Sequence, residues 1–183
     1  MRIISGTAGS RSISVPDSVA RPSTDRLREA LFSILGTYVS EARVLDLFAG
    51  SGAMGLECLS RGAASCEMVD DSRESLAVMR KNLKSLGLEN GKVIHQDVFR
   101  FLQGAAGKYN LIFADPPYYK GAGGTDFIEQ LLMNEKLPDL MKEDSLLILE
   151  DPPRNKRSDI NGWKLIDQRK YGSCGILFYQ RQS

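Results

Sequence analysis

Histidine is nearly absent from this chain: His95 is the single copy in 183 residues, which removes the usual material for a zinc site or a Ser-His-Asp triad. Cysteine is scarce as well. Cys58, Cys66 and Cys174 are too scattered for a metal knuckle and odd in number for a disulfide framework, so they are expected as small core residues. No apolar run approaches the roughly 18 residues that a membrane-spanning helix needs, and the opening MRIISGTAGSRS has no apolar leader segment. A cytoplasmic protein without membrane contact is expected. Internal repeats and an interdomain linker are also missing, which points to a single domain over 1–183, with an N-terminal arm and helix in 1–40 and a core in 41–183.

What is present is ordinary in bulk and uneven in detail. The apolar fraction of 42% and charged fraction of 26% belong to a globular protein long enough to bury a real core. The net charge of +1 hides basic ends around an acidic middle. At the N-terminus Arg2, Arg11, Arg21, Arg26 and Arg28 face only Asp17 and Asp25, and after residue 153 seven Lys and Arg face Asp159 and Asp167. Solvated faces account for such a pattern, and so does a polyanionic partner gripped by the ends of the chain.

The periodicities predict an arm or short hairpin over 3–15 and a helix in RPSTDRLREALFSILG, opened by Pro22, Ser23 or Thr24 and closed by Gly36. Strands over 43–48, 65–69, 92–95, 110–114 and 146–150 alternate with helices over 53–61, 72–86, 98–102 and 126–141. A final pair of strands over 164–168 and 176–180 has no helix between its members. Alternation of this kind predicts an α/β fold with a mostly parallel, doubly wound, Rossmann-like sheet, and the last pair an antiparallel edge.

Two motifs carry chemistry. In VLDLFAGSGAMG a strand enters a turn in which Gly50, Gly52 and Gly55 have G-x-G-x-x-G spacing, and Asp70 follows twenty residues after Gly50 at the end of the next strand, as a ribose-binding acid would. Dinucleotide sites usually carry apolar residues just before the first glycine, whereas Asp46 stands four positions ahead of it. An acid there can receive the cationic amino group of a methionine moiety, which favours S-adenosyl-L-methionine over NAD. Asp97, after the third strand, can accept from an adenine amino group, cap the next helix, or do both.

The second motif is LIFADPPYYKG, a buried strand ending in an acid, two prolines and two tyrosines. Pro116 and Pro117 lack N–H groups and push the residues before them out of the helical region, so the turn is stiff and rich in acceptors. Acceptors beside an aromatic ring suit a flat NH2 group such as the exocyclic amine of a nucleobase.

DLFAGSG, VDDS, QD and ADPPY follow the order of the class I methyltransferase motifs, with the Asp-Pro-Pro-aromatic signature of amine methylation. The N-terminal MRIISGTAGSRSI and RPSTDRLREALFSIL resemble more narrowly the RsmD family of bacterial 16S ribosomal RNA guanine-N2 methyltransferases, and the similarity runs to about Tyr179. Asp70 departs from the family's more frequent glutamate. The resemblance implies a seven-stranded sheet, a monomer, and methyl transfer from S-adenosyl-L-methionine to the N2 of one guanine in 16S ribosomal RNA, within the small ribosomal subunit. It implies cofactor contacts at Asp46, Phe48, Gly50, Gly52, Asp70 and Asp97, and no metal.

Catalysis is then expected at Asp115, Pro116, Pro117 and Tyr118: Asp115 and the Pro116 carbonyl accept the two amine N–H groups, and Tyr118 stacks on the extruded base. Tyr119 is expected as packing or loop. RNA contacts are expected at Arg2, Arg11, Arg21, Arg26 and Lys120, with at most one of Arg26 and Arg28 reaching the site. Methylation of DNA at adenine N6 or cytosine N4 would use the same motifs, and a non-catalytic ribosome assembly factor is the rival without chemistry.

Overall fold

The computed structural model describes residues 1–17, 24–117, 125–152 and 156–182. After the N-terminal arm come α1 (Asp25–Leu35), β1 (Arg43–Leu47), α2 (Ala53–Ser60), β2 (Ser65–Asp70), α3 (Arg73–Leu86), β3 (Gly91–His95) and α4 (Val98–Gly104). The chain continues through β4 (Tyr109–Ala114), α5 (Phe127–Leu132), β5 (Met141–Asp151), β6 (Trp163–Tyr171) and β7 (Cys174–Arg181). These strands form one seven-stranded sheet in the order β3-β2-β1-β4-β5-β7-β6. Strands β1 to β5 run parallel, and β7 is antiparallel to both β5 and β6. The expected doubly wound sheet with an antiparallel edge is what the chain forms.

Alternation along each strand sends side chains to two apolar layers. In β1, Val44 packs with Leu31 and Phe32 of α1, Leu56 of α2 and Met79 of α3, while Leu45 and Leu47 face Leu102 of α4 and Leu131 of α5. A sheet covered on both sides needs apolar residues on both faces of its central strands, and β4 supplies them as an unbroken buried LIFA. Cys58 and Cys66 are buried in the first layer, as expected of small core residues, whereas Cys174 packs against that layer only half-buried.

Helix starts follow the capping logic of the sequence. Thr24 Oγ1 accepts from Leu27 N–H at 3.2 Å at the head of α1. Ser72 does the same for Ser75 at α3, and Gly87 closes α3 with φ of 68°.

Three expectations need correction. The helix expected over 126–141 stops at Leu132, because the Asn134 side chain accepts from the N–H groups of Lys136 and Leu137 and turns the chain away. A short 3₁₀ turn, Pro138–Leu140, follows, with the proline at its start. The strand expected over 146–150 begins earlier, at Met141, where the Ser145 hydroxyl donates to the Tyr109 carbonyl beside a register shift. The closing strands are likewise longer, pairing from Trp163↔Arg181 to Tyr171↔Cys174. No helix among the described residues is long and apolar enough to cross a membrane.

Candidate functional site

The strand order reverses between β1 and β4, whose connections leave in opposite directions, so a crevice opens at their carboxyl ends. The register places Asp46 beside Phe113, and Phe113 beside Ile148. Two residues further along their strands, on the same face, come Asp115 and Glu150. A cleft there is lined by Asp46, Asp115 and Glu150 together with the apolar Leu31, Phe113 and Ile148.

Asp46 is 4% exposed, and its carboxyl accepts the Gly55 N–H at 3.0 Å. Burial, opposed by that hydrogen bond and reinforced by the charge of Asp70, pushes its pKa up to about 7. No described residue forms an ion pair with it. A buried carboxyl without a counter-cation suits a ligand that brings one, and the ammonium group of a methionine moiety meets that need.

Around Asp46 the glycine turn winds through left-handed conformations, with φ of 56° at Phe48, 55° at Gly50 and 76° at Gly52. Only glycine adopts these at little cost, so Phe48 marks local strain in this turn. A Cβ on Gly55 would lie 2.6 Å from Cys66 Sγ, which makes this third glycine the one that seats α2 against β2. Asp70, at the end of β2, accepts from Gly50 N–H at 2.8 Å and from Ser72 N–H at 2.9 Å. It therefore fastens the glycine turn to the start of α3, and each carboxylate oxygen keeps acceptor capacity for a sugar hydroxyl.

Asp97 caps α4, accepting from Arg100 N–H at 2.9 Å, so the capping role is realised. Asp70 ends β2 and Asp97 follows β3 by two residues, so with Asp46 they form a row of acids across the carboxyl ends of β1, β2 and β3, adjacent strands being about 4.8 Å apart. Asp71 is exposed and its carbonyl lies 3.0 Å from His95 Nε2. Phe48 packs against Phe99 and Phe127, whose rings stack at 6.0 Å between centroids.

Asp115 follows β4 directly and its N–H reaches the Leu47 carbonyl at 3.4 Å. Burial, then the charges of Glu150 and Asp46, push its carboxyl well above the usual carboxylate range. Pro116 is buried beside it and Pro117 is exposed. Tyr118, Tyr119 and Lys120 lie outside the described residues, as does Arg21.

The expected RNA-contacting arginines scatter. Arg26 is exposed. Arg2 is 61% exposed along its side chain and pairs with Asp25 at 3.2 Å. The guanidinium of Arg11 donates to the carbonyls of Ser85 and Leu86, closing the C-terminus of α3. Arg28 is fully buried, paired with Asp25 at 2.7 Å and Glu57 at 3.5 Å, and so drops out as a surface contact.

Glu150 is the member of the cleft that the sequence reading did not include. The signal was present: it is the acid that ends the apolar run of the fifth strand, beside the strand that leads to Asp115.

Comparison with known proteins agrees with the fold. The family described as Conserved hypothetical protein 95 matches residues 1–180. Ribosomal RNA small subunit methyltransferase D of Escherichia coli (strain K12) is 33% identical over 185 residues, covering 100% of this chain and 91% of that protein. "Putative rRNA methyltransferase YlbH" of Bacillus subtilis (strain 168) is 32% identical over 188 residues, covering 100% of each. Among solved structures, "Putative methyltransferase yhhF from Escherichia coli" superposes with a TM-score of 0.83 at 34% identity, covering 100% of this chain and 98% of that one.

Proposed function

Because the chain belongs to the RsmD family, the family described as Conserved hypothetical protein 95, we propose that it methylates the exocyclic N2 of one guanine in 16S ribosomal RNA of the small subunit. It does so as a cytoplasmic monomer whose whole length serves one catalytic unit. The observation that carries this reading is the juxtaposition, across the switch point of the sheet, of a buried cation-seeking carboxyl at Asp46 and an acceptor carboxyl at Asp115 held by a proline turn.

S-adenosyl-L-methionine supplies a methyl group activated by its sulfonium. Asp46 holds the ammonium end, the Gly50–Gly52 turn receives the middle of the molecule, and Asp70 and Asp97 take the ribose and the adenine. Asp115 and the Pro116 carbonyl accept the two N–H bonds of the guanine amine. That amine is a weak nucleophile because its lone pair is spread into the ring, so holding it in line with the methyl group is the larger part of the work. Well-oriented reacting pairs gain on the order of 7 to 11 kcal/mol in this way. Tyr118 stacks on the base, and the basic residues Arg2, Arg21, Arg26 and Lys120 meet phosphate. Arg11, whose guanidinium closes α3, adds positive charge to the arm.

The decisive experiment maps methylated nucleotides in ribosomal RNA from cells with and without this chain, alongside the Asp115→Ala variant. One N2-methylguanine that vanishes with the chain, and is not restored by the variant, is expected. S-adenosyl-L-methionine binding by the variant should stay within a few-fold of the parent. Methylated adenine or cytosine in DNA, with ribosomal RNA unchanged, would replace this reading.

A further inference from the structure

Glu150 lies next to Asp115 for a structural reason. In β4 and β5, Phe113 pairs with Ile148 and Ala114 with Leu149, so the next rung sets Asp115 against Glu150. Side chains two apart on a strand share a face, and Asp115 and Glu150 therefore stand over Phe113 and Ile148 in the same cleft. Parallel neighbours are about 4.8 Å apart, which leaves two carboxyl groups within direct electrostatic reach of each other. On the far side, Glu150 pairs in register with Ile176 of β7, an apolar residue that also lines the cleft.

We propose that Glu150 is a positioning residue for methyl transfer, its carboxylate standing beside Asp115 so that Asp115 is the group that takes the proton leaving the guanine amine. This rests on the reading of Asp115 as the amine acceptor. In the step, the N2–CH3 bond forms as the S–CH3 bond breaks; the sulfonium becomes a neutral thioether, the methylated nitrogen gives one proton to the Asp115 carboxylate, and that proton later leaves to water. An ordinary carboxylate is a feeble base at neutral pH, and a base works best when its pKa lies near the working pH. The geometry supplies that adjustment, since burial and then the Glu150 charge raise the proton affinity of Asp115, with Asp46 adding a smaller push.

Among the described residues, the other groups around Asp115 do not offset it. Leu31 of α1, Met54 of α2 and Ile176 of β7 present apolar surface to the cleft. Arg28, one turn before Leu31, is committed to Asp25 and Glu57. Asp151, beyond Glu150, is buried in the other layer's direction against Arg157 at 2.7 Å.

The test compares the parent with Glu150→Gln, Glu150→Asp and Asp115→Asn. The kcat/KM for labelled methyl transfer to small ribosomal subunits from cells lacking this chain is followed from pH 5 to 9. In Glu150→Gln the acid limb should move to lower pH by about one unit, a tenfold change in proton affinity, and Glu150→Asp should bring it back toward the parent. Carbon-13 NMR titration of the Asp115 carboxyl in the cofactor-free chain, assigned with Asp115→Asn, should show the same downward shift without depending on turnover. An Asp115 midpoint in Glu150→Gln that coincides with the parent's overturns the proposal while leaving the function standing, provided that Asp115→Asn is inactive. Full activity in Asp115→Asn overturns both.

Discussion

A single buried carboxyl illustrates how function is set against stability at this site. Asp46 has an ordinary value of 3.8 raised to about 7 in the folded chain. The folded state therefore holds this proton more tightly than the unfolded one, and the stability it lends is complete below about pH 4 and lost as pH rises to about 7. Replacing the carboxyl by an amide removes that loss. Asp46→Asn should be more stable than the parent at pH 8, by on the order of 1 to 4 kcal/mol, with the gap closing toward pH 4. Urea denaturation of the cofactor-free chain at several pH values measures it. The same variant should bind S-adenosyl-L-methionine at least tenfold more weakly, read by calorimetry, because the ammonium group loses its partner. A residue that is costly at rest and favourable with ligand is what a binding site contains.

Among the elements, the glycine turn and α2 behave as one unit. Gly55 gives its N–H to Asp46 and its missing side chain to β2, where a Cβ would meet Cys66 Sγ at 2.6 Å and Met68 Cγ at 2.9 Å. Gly55→Ala should cost about 1 to 3 kcal/mol through overpacking, measured by urea denaturation. Adding Cys66→Ala, which empties the contacted volume, should recover part of that loss. If the double variant is no better than the single, the helix is held off the sheet by something other than this contact. The shortening of α5 belongs to the same scale: a 3.6-residue pattern continued past Leu132, but the Asn134 side chain and Pro138 decided where the helix ended.

Across the whole molecule the N-terminal arm is tied down by a buried acid. The fully buried Glu57 carboxylate accepts from Ile4 N–H at 2.7 Å and Ser5 N–H at 3.0 Å, and pairs with Arg61 at 2.7 Å and Arg28 at 3.5 Å. Arg28 also donates to the Arg2 carbonyl at 2.5 Å, while its Nε has no partner among the described residues. Glu57→Ala leaves the buried Arg28 guanidinium with Asp25 but without its buried acid, strips the Ile4 and Ser5 N–H groups of their acceptor, and should cost about 3 to 5 kcal/mol. Replacing the pair together, with Arg28→Met and Glu57→Leu, should cost less than Glu57→Ala alone. Thermal melts rank the three, and limited proteolysis within residues 1–13 should accelerate most in Glu57→Ala.

The order of elements, the glycine turn and the acid before two prolines were readable from the letters, because each depends on local physics: hydrophobic period, capping, and the restricted dihedrals of glycine and proline. Asp97 was read as an acceptor for adenine, a helix cap, or both, and the cap is formed. Only the folded chain decided what each charge faces. Arg28 and Arg26 stand two apart with identical chemistry, yet one is sealed inside by Asp25 and Glu57 and the other is exposed. Glu150 is far from Asp115 along the chain and becomes its neighbour through the register of β4 on β5. Burial and charge proximity are properties of three-dimensional neighbours, and a linear pattern does not carry them.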